Sequence, residues 1–225
     1  PRPQGRGQAV RKNPVQQAAE GWGVPVFTPE RLRKSDVPER LAEFKPDLIV
    51  VIAYGQILPP SVLEIPRWGC VNLHASLLPK YRGAAPIPWT ILNGDAQTGV
   101  TLMRMDAGCD TGPILAQQKI PITADDTAGT LHDKLAKVSA QVLTQHWAAL
   151  VSGQLTPQVQ DEAAATKVGL MRKEDGLLDW NNPAVALERK VRAFSPWPGT
   201  HTFLPGKRLV IRRLRVLEPL PGSPA

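Results

Sequence analysis

The chain has 225 residues, a hydrophobic fraction of 42% and a net charge of +7. That length holds one large domain, or one domain with part of a second, and no apolar run reaches the roughly 20 residues of a membrane helix, so no membrane partner is expected. No signal-peptide pattern opens the sequence, and Cys70 and Cys109 offer neither metal-ligand spacing nor a disulfide framework, so a reducing cytoplasm is the expected compartment.

In chain order, residues 1–12 carry Arg2, Arg6, Arg11 and Lys12 without an acid. Pro14 to Trp22 reads as a helix and Val24 to Phe27 as a strand. Ser35-Asp36 and Pro38 open a helix running to Phe44. Asp47 to Ala53 is apolar enough for a strand buried on both faces, and Val71 to His74 is the next strand. Ala84 to Asn93 reads as a helix ended by Gly94. Thr98 to Met105 and Pro113 to Ile120 are strands joined through 106–112. Leu131, Leu135, Val138, Val142 and Leu150 recur at helical spacing until Gly153; His132 and His146 on this helix read as surface or packing residues. Alternating strands and helices argue for a parallel α/β sheet.

Residues 154–166 turn polar and Ala-rich, as a linker does. Pro183 to Phe194 is helical, and His201 to Leu204 with Lys207 to Leu217 reads as a hairpin across Pro205-Gly206. Lys207, Arg208, Arg212, Arg213 and Arg215 form a second basic block without an acid. Each block alone fits a solvated surface; the two together fit a polyanion touching both ends.

Three elements carry chemistry. Asn72 and His74 are two apart on a strand, so an amide and an imidazole project into one cleft at the strand's C-terminal end, where α/β folds place their ligands. They supply N–H donors and a group that titrates near neutrality, as acyl-type transfer at a carbonyl requires. Asp110 lies between glycines that let the backbone turn a carboxylate into a cleft, or simply form an Asx turn. Ser76-Leu77-Leu78-Pro79 is a rigid apolar loop whose free backbone amides suit a flat heterocycle. A thiol nucleophile at Cys109 is the competing reading, without an activating base in view. No P-loop, dinucleotide glycine fingerprint or His-Glu-x-x-His motif is present.

The run Asn72-x-His74-x-Ser76-Leu-Leu-Pro-Lys-Tyr-Arg-Gly-Ala-Ala-Pro-Ile, then Asn93-Gly94-Asp95, Thr98-Gly-Val-Thr101 and Met105-Asp-x-Gly-x-Asp110-Thr-Gly, resembles the formyltransferases that use 10-formyltetrahydrofolate. The resemblance implies a catalytic trio of Asn72, His74 and Asp110, a folate-contacting loop of Ser76, Leu77, Leu78 and Pro79, and no metal. It implies a Rossmann-like α/β sheet with flanking helices, plus an incomplete OB-like C-terminal β-barrel. The core motif is shared with glycinamide-ribonucleotide, aminosugar and formyltetrahydrofolate-hydrolysing relatives.

Two further features are similar to the branch that formylates initiator methionyl-tRNA. Arg2-Pro-Gln-Gly-Arg6-Gly matches a basic loop reaching the tRNA acceptor end, and Ala193-Phe-Ser-Pro-Trp-Pro-Gly199 with the basic hairpin matches the start of a tRNA-binding barrel. The implied layout is a catalytic domain over 1–153 lacking its N-terminal strands, a linker over 154–166 and an incomplete barrel over 167–225, in a monomer. An aminosugar-nucleotide formyltransferase and an inactive RNA-binding fragment are the alternatives.

Overall fold

The computed structural model describes residues 2–4, 9–32 and 36–217, the side chains of 2–4 and 9–11 excepted. Strands β1 (Arg2–Gln4) and β2 (Ala9–Arg11) pair as a hairpin. Helix α1 (Pro14–Gly21) starts where the Asn13 side chain accepts from Gln16 N at 2.8 Å and Pro14 fills the first turn, where no N–H is needed. The strand expected over Val24 to Phe27 does not form. Its backbone finds no ladder partner among the described residues, Val24 and Val26 are exposed, and only Phe27 packs, beneath the Arg40 guanidinium at 3.9 Å.

Helix α2 (Val37–Glu43) is followed by β3 (Ile49–Val51), α3 (Pro60–Leu63), β4 (Cys70–His74), β5 (Lys80–Gly83) and α4 (Pro86–Leu92). Next come β6 (Gln97–Arg104), β7 (Ile114–Pro121), the 24-residue α5 (Ala128–Val151), β8 (Thr166–Val168), α6 (Ala184–Ala193), β9 (Thr200–Leu204) and β10 (Lys207–Ile211). The main sheet has the order β3-β4-β6-β7. Only β3 and β4 run parallel; β4–β6 and β6–β7 are antiparallel. The sheet is therefore mixed where alternation of elements predicts a parallel one, because β6 and β7 are joined by a short loop, which permits only antiparallel pairing. Among the described residues β3 is a short half-buried strand at one side of the sheet, where apolar composition predicts burial on both faces.

Two cores cover the sheet. Val71, Leu73, Val100 and Leu102 on one face meet Leu131, Leu135, Val138 and Val142 of α5 and Ile91 of α4. Cys70 on the other face meets Val37 and Val62 of α2 and α3. A buried aliphatic side chain contributes on the order of 1.5–3 kcal/mol, so the α5 seam is a major stabilising contact. No helix among the described residues is long and apolar enough to cross a membrane.

The C-terminal region is a hairpin of β9 and β10 with Leu177 bridged beside His201. A closed barrel is not formed among the described residues, and β10 ends at Ile211 instead of continuing to Leu217. α6 packs on α4, and its end delivers Ala193 and Phe194 into the main core.

The start of α5 is the joint between these parts. Thr127 and Thr130 form a reciprocal capping box. Asp126, 2% exposed, accepts from Thr123 N, both threonine hydroxyls at 123 and 130, and Lys134 Nζ at 2.7 Å. Burial opposes its charge, but Lys134 and the Thr123 and Thr130 donors outweigh it and hold the carboxyl down at about 2. Its backbone carbonyl accepts from Arg192 of α6 at 3.0 Å, and Gly129 N donates to Ser195 O at 3.0 Å.

A carboxyl that titrates lower in the folded chain than in the unfolded one stabilises the fold above the unfolded pKa, and loses that contribution as pH falls. Asp126 should thus supply roughly 2 kcal/mol at neutral pH, lost between about pH 4 and pH 2. In urea titrations, Asp126→Asn is expected to be less stable by about 1–3 kcal/mol at pH 6. Its deficit against wild type should shrink steadily as pH drops toward 3; a pH-independent deficit contradicts the charge-based account.

Candidate active site

β4 sends alternate side chains to opposite faces, so Val71 and Leu73 enter the main core while Asn72 and His74 share the other face. Asn72 is half-buried, and its carboxamide has no hydrogen-bond partner among the described residues. His74 is 7% exposed. Its Nε2 lies 2.8 Å from the Tyr81 carbonyl oxygen, which can only accept, so Nε2 carries a hydrogen. Nδ1 then faces Asp110 Oδ1 at 3.6 Å, too long for a direct hydrogen bond and within ion-pair reach when the ring is protonated. The structure thus brings His74 and Asp110 together, with Asn72 beside His74 on the same strand face.

Asp110 is held in an unusual backbone state. Its φ is 56°, in the left-handed region that opposes an ordinary L-residue by roughly 1–2 kcal/mol and that Asp tolerates better than most. Gly83 N donates to its Oδ2 at 2.8 Å, leaving Oδ1 for His74. Gly83 itself has φ +109°, and a Cβ there would meet the Val168 carbonyl oxygen at 2.1 Å. Only glycine lets β5 and β8 approach this closely.

The loop from Ser76 to Pro79 is braced, and of the backbone amides expected to be free that of Leu78 is committed. Leu78 N donates to Thr101 Oγ1 at 3.1 Å, Lys80 N to Leu77 O at 3.0 Å, and Tyr81 N to Ser76 Oγ at 3.1 Å. Ser76 is fully buried, its hydroxyl donating to Tyr81 O, and Leu78 is buried too. Leu77 and Pro79 are the two of the four that present partly open side chains. Gln117 Nε2 adds bonds to Leu78 O and Thr101 Oγ1, both at 2.9 Å. Tyr81, 1% exposed, donates its hydroxyl to Asp95 at 2.8 Å and accepts from Asn93 Nδ2 at 2.8 Å. Lys80 Nζ completes this anchor on Asp95.

Sequence reasoning missed a second layer. Arg82 is 1% exposed and forks onto Glu162 at 2.9 and 2.7 Å, which holds the Glu162 carboxyl below the usual carboxylate range. Its Nε donates to Gln160 Oε1 at 3.0 Å, and Gln160 Nε2 donates to the carbonyls of Asp110 and Gly112 at 2.8 and 2.7 Å. Arg82 stands inside the quoted motif, and a buried arginine requires an acid somewhere. Nothing local marks Gln160, whose partners are two backbone carbonyls about fifty positions away and the Arg82 side chain.

The Cys109 thiol lies 3.6 Å from Asp110 Oδ2. Partial desolvation and the neighbouring negative charge push it above the ordinary thiol range, the opposite of activation. Arg2 is placed by its backbone in β1 opposite Arg11, and Arg6 lies outside the described residues. Lys207, Arg208, Arg212, Arg213 and Arg215 are all exposed.

The family described as Formyl transferase matches residues 1–146, and Formyl transferase, C-terminal domain, matches 170–224. A methionyl-tRNA formyltransferase of Pseudomonas putida strain GB-1 is 51% identical over 93% of this chain and 68% of its own length. That of strain W619 is 49% identical over 99% of this chain and 72% of its own length, and that of Citrifermentans bemidjiense 47% identical over 95% and 67%. In fold, a sugar N-formyltransferase from Shewanella superposes with a TM-score of 0.72 at 22% identity, covering 93% of this chain and 84% of its own. HypX from Aquifex aeolicus, solved with tetrahydrofolic acid, does so with a TM-score of 0.66 at 22% identity, covering 83% of this chain and 34% of its own. With both family domains matched in order and half of the residues shared with such relatives along nearly its whole length, the chain belongs to the methionyl-tRNA formyltransferase family.

Proposed function

We propose that the chain moves a formyl group from 10-formyltetrahydrofolate to the amino group of initiator methionyl-tRNA, with Asn72, His74 and Asp110 as its catalytic residues. The observation that carries this reading is the approach of His74 Nδ1 to Asp110 Oδ1 at 3.6 Å at the C-terminal end of β4, with Asn72 two residues earlier on the same strand face and its carboxamide without a partner among the described residues. The neutral amine attacks the formyl carbon, and the carbonyl electrons move onto oxygen. Asn72 N–H donates to that oxyanion, and the His74 ring, when it carries a proton shared toward Asp110, adds positive charge beside it. Asp110 Oδ1 balances the imidazolium and takes the proton released by the amine, directly or through a water. As the intermediate collapses, the bond from carbon to N10 breaks and N10 receives a proton, leaving formylmethionyl-tRNA and tetrahydrofolate. Leu77 and Pro79 are the loop residues offered to the donor, while Ser76 and Leu78 hold the loop's shape.

Within this reading, residues 1–153 carry the chemistry, 154–166 connect, and 167–225 serve RNA binding, with β9 and β10 as strands of a small OB-like barrel. The five exposed basic residues of 207–215 supply charge for a run of phosphates, more than the single diphosphate of an aminosugar nucleotide requires. Arg2 and Arg6 are assigned to the acceptor end of the tRNA.

In the full chain, Asn72→Ala is expected to lower kcat by about 10²–10³, with Asp110→Asn in a similar range. Retention of near-normal formyl transfer by both variants overturns the assignment. Replacing Arg212, Arg213 and Arg215 together by Ala should raise KM for methionyl-tRNA and leave KM for the folate unchanged. The salt dependence of tRNA binding should also become shallower, by up to about 0.9 in log–log slope per lost phosphate contact. Formylation of an aminosugar nucleotide in preference to methionyl-tRNA identifies the other substrate class.

A further inference from the structure

We propose that Gln160 is a positioning residue for formyl transfer, clamping the left-handed backbone of Asp110 so that its carboxylate stays aimed at His74; this rests on the catalytic role given to Asp110 above. Gln160 is 4% exposed, and its amide orientation is dictated by its partners. The carbonyls of Asp110 and Gly112 can only accept, so they face Nε2; Arg82 Nε can only donate, so it faces Oε1. The two carbonyls flank the turn on either side of Thr111, and the first belongs to the residue at φ 56°. A conformation of that kind persists when its surroundings over-determine it, and here the clamp is a single side chain.

The rest of the loop has little room to adjust. A Cβ at Gly112 would meet the Arg104 carbonyl oxygen at 1.9 Å, so the returning limb of the loop is pressed against β6. Gln160 is itself immobilised. Gln158 exchanges two backbone hydrogen bonds of 2.8 Å with Ile114, and Glu162 grips Arg82 two residues further on. Gln160 takes Arg82 Nε, and Glu162, at the start of a short 3-10 turn, takes the two terminal nitrogens, so the two side chains hold one guanidinium between them. The chain after α5 thereby becomes a wall of the active site. Its contact is to the backbone of Asp110, leaving both carboxylate oxygens to the chemistry and to Gly83.

A purely structural glutamine would satisfy the same buried groups, so the test must act through Asp110. Gln160→Leu removes all three bonds. Gln160→Glu keeps an acceptor for Arg82 but turns oxygen lone pairs on the two carbonyls, so it breaks only the clamp. Both are expected to lower kcat by about 10- to 100-fold, as misplacement of a reacting group does, while KM for both substrates stays within about twofold. The limbs of the kcat–pH profile should move in both variants, since the separation of Asp110 from His74 changes. In an Asp110→Asn background, adding Gln160→Leu should lower kcat by less than about threefold, because residues acting as a unit are not additive. The inference falls if Gln160→Glu keeps wild-type kcat and pH profile, or if the Gln160→Leu loss recurs in full beside Asp110→Asn. Near-normal kcat in Asp110→Asn alone sinks the catalytic reading and this inference with it. An unaffected Gln160→Glu beside a crippled Asp110→Asn sinks the inference alone.

Discussion

A guanidinium cannot shed its proton, so wherever it is buried the chain must bring a partner to it. Arg82 imposes this condition at the centre of the molecule. Its partner, Glu162, keeps most of its own surface in water, so only one member of the pair is fully desolvated. Meeting the condition forces the segment after α5 back across β5. There Thr166–Val168 pairs with Lys80–Gly83, and the Val168 carbonyl occupies the space that a side chain at position 83 would need. One buried charge thus fixes the course of the connector, the glycine at 83 and, through Gln160, the loop that carries Asp110.

The orientation of His74 has an equally local origin. The acceptor of its Nε2 is a backbone carbonyl in a loop whose own amides are bound by Ser76, Thr101 and Leu77. Tyr81, which supplies that carbonyl, is pinned at its far end by Asp95 and Asn93. A hydrogen-bond acceptor held on both sides does not rotate to follow the imidazole; the imidazole follows it. Such prior fixing is what gives an electrostatic site its advantage over water, whose dipoles must reorganise as charge develops. Asn72, the member of the proposed trio whose carboxamide has no partner among the described residues, sits on the rigid strand itself and needs no such bracing.

How much of this was legible in the sequence depended on how far apart the interacting residues lie. The α5 helix, the β6–β7 hairpin, the α4 and α6 helices and the turn at Pro205-Gly206 follow from periodicity and punctuation within about twenty residues, and each forms near its expected place. Asn72 and His74 were readable because strand alternation relates them directly. The parallel sheet was a wrong extrapolation from alternating elements, since the short β6–β7 connection decides direction. The strand at 24–27 has the composition but lacks a ladder partner among the described residues. β5 carries no strand pattern of its own, because Pro79 and Gly83 punctuate it and its partner β8 lies more than eighty residues away. The roles of Arg82 and Gln160 were invisible for the same reason: each depends on a non-local partner, and one of those partners is bare backbone.

The connection between the two halves bears on how an acceptor reaches the site. Composition alone suggests a free linker over 154–166, which would leave a basic hairpin to wander. Yet α6 ends in Ala193 and Phe194, which belong to the main core, and Arg192 reaches from α6 to the carbonyl of Asp126 at the head of α5. The hairpin follows α6 after a few residues, with Leu178 N bonded to His201 O along its edge. Its exposed Lys207 and Arg208 are therefore carried on an element rooted in the same core that carries β4, and Arg212, Arg213 and Arg215 follow directly after it. Charge at one end and chemistry at the other are then separated by a defined distance, so binding energy spent on a large anionic acceptor can also orient the amine it presents. That conversion of remote binding into orientation is the most effective use of a rigid joint.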